Sequence, residues 1–251
     1  AISNSGGDWP ARLLHRIGRL NLLIQGFKHF DDQPPETQAD LRAAVGWTPR
    51  KNELLHLPRV QDKWNVIGSW LERDGRLRIQ RRWLIGEQTG RTALLLDYAH
   101  GRQMFKSNLL IPGSAVTADL IFYPSAAPLR AFVAEQTDTA TTISRVRGHT
   151  TIAAALQSYT AAIARNPWLP FFHLAIAGVI PVQDGKRWHL TDQQGHSIPI
   201  RPKFSQAWHL FSLSGGHPVM IFGEWDGESL APLSVLVEGR WLDLTVMRGV
   251  L

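Results

Sequence analysis

The feature that most constrains this chain is a change of hydrophobic period near Trp64. Before that point apolar residues recur at helical spacing, and after it short alternating runs are separated by Gly-containing turns almost to the end. In the first segment Leu13, Ile17, Leu20, Ile24 and Phe27 follow one another at intervals of four, three, four and three, with Asp8 placed to cap and Pro10 in the first turn. That spacing predicts one amphipathic helix with Arg12, Arg16 and Arg19 together on another face. The run Asp31-Asp32-Gln33-Pro34-Pro35 breaks it. A second helix over residues 36–45 stops at Gly46, and Thr48-Pro49 starts a third at cap and first-turn positions. Two short helices around a Gly turn have helix-turn-helix proportions, although Pro49 with Glu53 makes a poor groove-reading face.

Residues 64–98 read as an antiparallel β-meander with strands near 64–72, 76–86 and 91–98, turned by Asp74-Gly75 and Thr89-Gly90. Strands near 118–123 and 127–133 follow, then a polar, Thr-rich boundary over 135–142. Thr150 or Thr151 is placed to cap a helix carrying Ile152, Leu156, Tyr159 and Ile163, which must end before Asn166-Pro167. Beyond it, strand-like runs lie near 171–182, 187–192, 196–201, 207–213, 218–225, 233–238 and 240–246. The expected fold is α+β: N-terminal helices over 1–60, a central antiparallel β-meander over 61–140, and over 141–251 a helix followed by a β-rich, barrel-like or curled-sheet region.

Composition narrows the function classes. With 44% hydrophobic and 19% charged residues, the 251-residue chain is globular, not wholly disordered. The absence of Cys excludes disulfides, thiolate metal sites and a cysteine nucleophile. Gly, Pro, Asp or Arg interrupts every apolar run before about 18 residues, so no membrane span is expected, and the expected location is cytoplasmic. Residues 1–7 lack an initiator Met, a basic stretch and an apolar stretch, and read as a cut or linker end.

The net charge is +6, and only six of the 27 cations are Lys. In the middle strand of the meander, alternation sets Leu77, Ile79, Arg81, Trp83 and Ile85 on one face and Arg76, Arg78, Gln80, Arg82 and Leu84 on the other. Arg76, Arg78 and Arg82 thus stand about 7 Å or a multiple of it apart, a spacing like that of phosphates along a strand. With Arg12, Arg16 and Arg19 they are the candidate nucleic-acid-binding residues, against the simpler reading of solvated faces. Trp64, Trp70, Trp83, Trp188, Trp208, Trp225 and Trp241 lie in or beside expected strands, where packing is favoured over base stacking.

No catalytic residue, metal site or cofactor is expected within the chain. The stretch Ser212-Leu213-Ser214-Gly215-Gly216 lacks the nucleophile elbow, and no phosphate-binding Gly-rich loop is present. His189 and His196 flank an expected turn with Asp192 near, a weak pattern for a metal.

Several stretches together carry a resemblance: Asp40-Leu41-Arg42 through Val45-Gly46-Trp47-Thr48, Val60-Gln61-Asp62-Lys63-Trp64-Asn65-Val66-Ile67-Gly68, Ile79-Gln80-Arg81-Arg82-Trp83-Leu84 with Gly90-Arg91-Thr92-Ala93-Leu94, and Phe122-Tyr123-Pro124 through Ala127-Pro128-Leu129-Arg130-Ala131. They resemble the part of bacterial SWIM zinc-finger family proteins that lies C-terminal to the finger, over roughly residues 10–135. The family's Cys-x-Cys and Cys-x-His zinc ligands have no counterpart here, so the chain is expected to be a C-terminal fragment or a member without the finger, and zinc binding falls outside it. The resemblance implies an accessory component of a system of a MoxR-type AAA ATPase and a von Willebrand A-type protein, and the leading expectation for the chain itself is a non-enzymatic protein-interaction module. Direct nucleic-acid binding through the Arg-rich faces is the alternative, and a hydrolase ranks last.

Overall fold

The computed structural model describes residues 9–105, 110–137, 140–143 and 146–245. Helix α1 spans Trp9–Lys28 and α2 Pro35–Ala44. Proline opens α2, Glu36 lies in its first turn and Arg42 in its last, as the helix dipole favours. The two helices meet at Gly26, where a Cβ would lie 2.5 Å from Leu41 Cδ2, so the bare backbone admits the fully buried Leu41. The third helix expected after Thr48-Pro49 is a single 3-10 turn, Lys51–Leu54.

The central sheet comprises β1 (Arg59–Asp74), β2 (Leu77–Gly86), β3 (Thr92–His100), β4 (Ser114–Phe122), β5 (Arg130–Gln136) and the short β6 (Thr141–Thr142). The expected meander forms from β1 to β3 with Gly75 and Gly90 at positive φ in its turns. Strand β1 is 16 residues long, so it has room for two partners. Its first half pairs with β4, Arg59 to Asn65 against Ile121 to Ala115, and its second half pairs with β2. A register shift between Val66 and Gly68 falls just past the changeover, where a bulge bends the strand. The sheet therefore closes in the order β1-β2-β3-β5-β4 and back to β1, all antiparallel except β3 with β5. This is the connectivity of the five-stranded Greek-key barrel called the OB-fold. Trp64, Val66, Leu84, Leu95, Val116 and Leu120 fill it, and the Trp64 indole N–H donates to the Ala118 carbonyl at 3.0 Å. Asp62 accepts hydrogen bonds from the Gln88 and Thr89 amides and the Thr89 hydroxyl, holding the β2–β3 turn onto β1.

Helix α3 (Ile152–Arg165) follows, its N-terminus capped by the Thr151 hydroxyl, which accepts from the Ala154 amide at 3.2 Å. The second sheet runs β12-β11-β10-β7-β8-β9 from β7 (Phe172–Asp184), β8 (Arg187–Thr191), β9 (Ser197–Pro199), β10 (Val219–Trp225), β11 (Leu230–Val237) and β12 (Arg240–Asp243). It stays open, since its edge strands have only three and four residues and lie at opposite sides. Barrel closure thus belongs to the central sheet, and the curled C-terminal region is an open sheet with α3 and α4 against β7.

Helix α4 (Ala207–Ser214) replaces the strand expected at 207–213. Ala207, Leu210 and Ser214 are buried at helical intervals of three and four, and Gly215 stops the helix in the left-handed region with φ 57. A short apolar run does not by itself distinguish strand from helix.

Barrel and open sheet share a core. Ile67, Trp83 and Ile85 on the barrel's outer face pack against Ala175, Phe222 and Leu233. Gly68 permits the contact, because a Cβ there would lie 2.9 Å from the Phe222 ring and 3.1 Å from Leu233. Among the described residues no helix is long and apolar enough to cross a membrane.

Candidate interaction surfaces

The middle-strand Arg face exists as a face, but it points inward. Leu84 on that side fills the barrel, and Arg82, two residues before it, is 4% exposed. Its guanidinium donates to Asp97 Oδ2 at 2.7 Å and Gln80 Oε1 at 2.6 Å, an internal network that Gln80 extends to Ser69. Burial lowers the Arg82 pKa, and the Asp97 charge and hydrogen bond only partly oppose it. Arg78, at the barrel mouth, donates to the Gln103 carbonyl and lies over the Phe105 ring, 5.2 Å from its centroid. Only Arg76, in the exposed β1–β2 turn, is open to solvent, so these three do not make one free cationic surface. Arg81, on the opposite face, is also buried: it pairs with Glu224 of β10, which also accepts from the Trp83 indole N–H at 2.9 Å.

Helix α1 places the other three differently. Arg12 lies in α1, but its side chain is outside the described set. Arg16 is exposed and Arg19 half-buried, and both line a groove of 1310 Å³ with Arg187 of β8 and Arg201 and Lys203 of the β9–α4 segment. None of those later residues was expected at a site. The signal available in the sequence was two short basic clusters beside aromatic or rigid residues, Lys186-Arg187-Trp188 and Arg201-Pro202-Lys203. Trp208, expected in a strand core, stands at this groove on α4 with 64% of its surface exposed. Trp64, Trp83 and Trp225 are buried as expected.

A second groove, of 1100 Å³, runs between the N-terminal helices and the barrel. Leu20 and Leu23 of α1, Ala43 of α2, Leu94 and Leu96 of β3 and Phe171 give it an apolar lining. At its edge Trp47 is 69% exposed. Asp40 of α2 is buried beneath it, where desolvation raises its pKa and hydrogen bonds from Ser125 and the Ala126 amide act against the rise. On α1 itself Leu14, Ile17, Leu20 and Ile24 are exposed, whereas Leu13 and Phe27 of the expected stripe are half-buried. Most of the apolar stripe that should seek a core therefore lies open.

Residues 1–45 match the family model of a SWIM-associated four-helix bundle domain. The match is consistent with the C-terminal region of a SWIM-family protein, and it falls on α1 and α2. No curated protein and no solved structure matches the chain.

Asp192 and His196, the pair expected near the β8–β9 turn, are held by hydrogen bonds within the fold. Asp192 accepts from the Ile152, Gln194 and His196 amides, which joins the β8–β9 turn to the start of α3 and holds its pKa low although burial acts to raise it. His196 Nδ1 is 3.5 Å from Asp192 Oδ2, and among the described residues no group of three His, Asp or Glu side chains is placed to hold a metal ion.

Proposed function

We propose that this chain is a non-enzymatic interaction module whose N-terminal helices dock amphipathic helices of a protein partner. The observation that carries the reading is the exposed apolar face of α1, where Leu14, Ile17, Leu20 and Ile24 recur at intervals of three, three and four. Such a face on a folded protein marks an interaction site more often than a free surface. The matched domain is described as a four-helix bundle, and the matched segment contributes two described helices. Two partner helices laid along α1 would complete a bundle of four, with Trp47 at the edge as an aromatic anchor. The family resemblance makes a MoxR-type AAA ATPase or a von Willebrand A-type protein the first partner to test.

Calorimetric titration of the chain with each of those proteins from the same bacterium tests the reading. Binding should weaken at least about tenfold on Ile17→Asp and on Leu14→Asp, with the circular dichroism spectrum unchanged because both side chains are exposed. Equal affinity of the variants would overturn it. So would a concentration-dependent dimer in sedimentation that Ile17→Asp dissociates, since the occupant would then be a second copy.

A further inference from the structure

The groove lined by Arg16 and Arg19 is a different surface from the exposed apolar face of α1. Six cations line it: Arg16, Arg19, Lys186, Arg187, Arg201 and Lys203, against the two carboxylates Asp226 and Glu228. Among the described residues only Arg201 of the six is in an ion pair, at 3.5 Å from Asp226. The Asp226 carboxylate also accepts from the Glu228 and Ser229 amides of its own loop at 3.0 and 2.8 Å. The cations come from α1, the β7–β8 turn, β8 and the segment before α4, which are distant in sequence and converge on one concave surface.

Aromatic rings stand among them. Trp208 is exposed, yet it is not loose. Trp188 meets it at 5.0 Å between centroids and 83°, and Phe211 at 6.1 Å and 90°. Edge-to-face contacts of this kind fix a ring's plane and leave surface free. A preset indole beside guanidinium and ammonium groups has the two elements that recognise a single strand, a platform for an unpaired base and charge for its phosphates. An acidic peptide would use the charge and leave the indole without a stacking partner. An anionic membrane would be met by a convex face, whereas this surface is a groove. A duplex keeps its bases stacked on one another and offers the indole nothing.

We propose that this groove binds single-stranded nucleic acid, with phosphates on Arg16, Arg187 and Lys203 and a base stacked on Trp208. The experiment is fluorescence anisotropy with a labelled oligothymidylate of about 12 nucleotides at about 50 mM salt, repeated at rising salt. Affinity should fall with salt. Trp208→Ala should raise Kd about tenfold or more. Arg187→Ala should also weaken binding and reduce the slope of log K against log salt by about 0.7, the share of one phosphate contact on a single strand. Trp208 and Arg187 are surface residues, so an unchanged melting curve separates lost binding from lost fold. The proposal is overturned by no binding at that salt, by equal Kd for the wild type and Trp208→Ala, by a duplex of the same length binding as tightly, or by phosphatidylserine vesicles or poly-glutamate binding where the oligonucleotide does not.

Discussion

Glu224 is the residue whose loss should reveal how barrel and open sheet are joined. It is fully buried on β10 and accepts two hydrogen bonds from Arg81, from Nε at 2.8 Å and Nη2 at 3.0 Å, plus one from the Trp83 indole at 2.9 Å. Arg81, 4% exposed, keeps a second carboxylate in Glu72 at 2.6 Å and lies over the Phe171 ring at 4.1 Å. Burial alone would lower the Arg81 pKa, and the bonds and charge of Glu224, then of Glu72, outweigh it and raise it. Glu224→Leu keeps volume and removes every acceptor. Removing one partner of a buried pair costs about 3–5 kcal/mol, and Glu72 remains to hold part of the charge, so a loss of about 3–4 kcal/mol is expected. A domain stability of about 5–15 kcal/mol leaves that variant folded. Adding Arg81→Met removes the stranded cation, and the double variant should recover about 2 kcal/mol relative to Glu224→Leu. The Trp83 N–H, still orphaned at about 1–3 kcal/mol, keeps it below wild type. Urea unfolding of the four proteins, followed by Trp fluorescence, gives the coupling directly. Additive losses within about 0.5 kcal/mol would refute the reasoning and assign the seam to apolar contacts alone.

Two further perturbations address the same seam. His173 of β7 is half-buried between Trp83 and Phe172, bonded through Nε2 to the Thr92 hydroxyl, and burial, followed by the nearby His149, pushes its pKa from 6.5 down to about 3. The unfolded chain binds a proton at pH values where the folded one does not, so stability is complete above about pH 6.5 and falls toward pH 3, by about 2 kcal/mol at pH 5. His173→Phe should flatten that slope in urea midpoints measured from pH 7 to 5, and an unaltered slope would place the titration elsewhere. Gly68→Ala puts a methyl 2.9 Å from the Phe222 ring and should lower stability by about 1–3 kcal/mol, whereas a melting temperature unchanged from wild type would mean the seam yields freely.

The elements were largely legible because their signals are local. Gly75 and Gly90 mark the meander turns, Thr151 caps α3, and the Pro34-Pro35 break separates α1 from α2. Closure was not legible, because it depends on β1 pairing with β4 some fifty residues away, for which a sequence pattern carries no local sign. That one unseen contact also misdirected the charge reading. Alternation placed Arg78 and Arg82 with Leu84, as observed, but both faces of β2 are covered, one by the barrel interior and one by the open sheet. A strand buried on both sides shows no polar face by which to choose. Trp208 failed for the opposite reason: a short apolar run was read for packing, and its helical turn set the ring outside.

The fold by itself would send the search for a ligand to the wrong place. OB-fold barrels bind oligonucleotides on the face of strands 2 and 3, and here that face is taken up within the molecule. Arg81 and Trp83 are held by Glu224, and Leu94 and Leu96 form the wall of the apolar groove beneath the N-terminal helices. The cationic groove is built on elements outside the barrel, in keeping with the rule that function resides in sites and not in folds. Both open surfaces meet at α1: Arg19 borders the apolar groove and the cationic one alike. A partner that shifted α1 would carry Arg16 and Arg19 relative to Arg187 and Lys203, and in that case the affinities at the two surfaces would change together, equally in both directions.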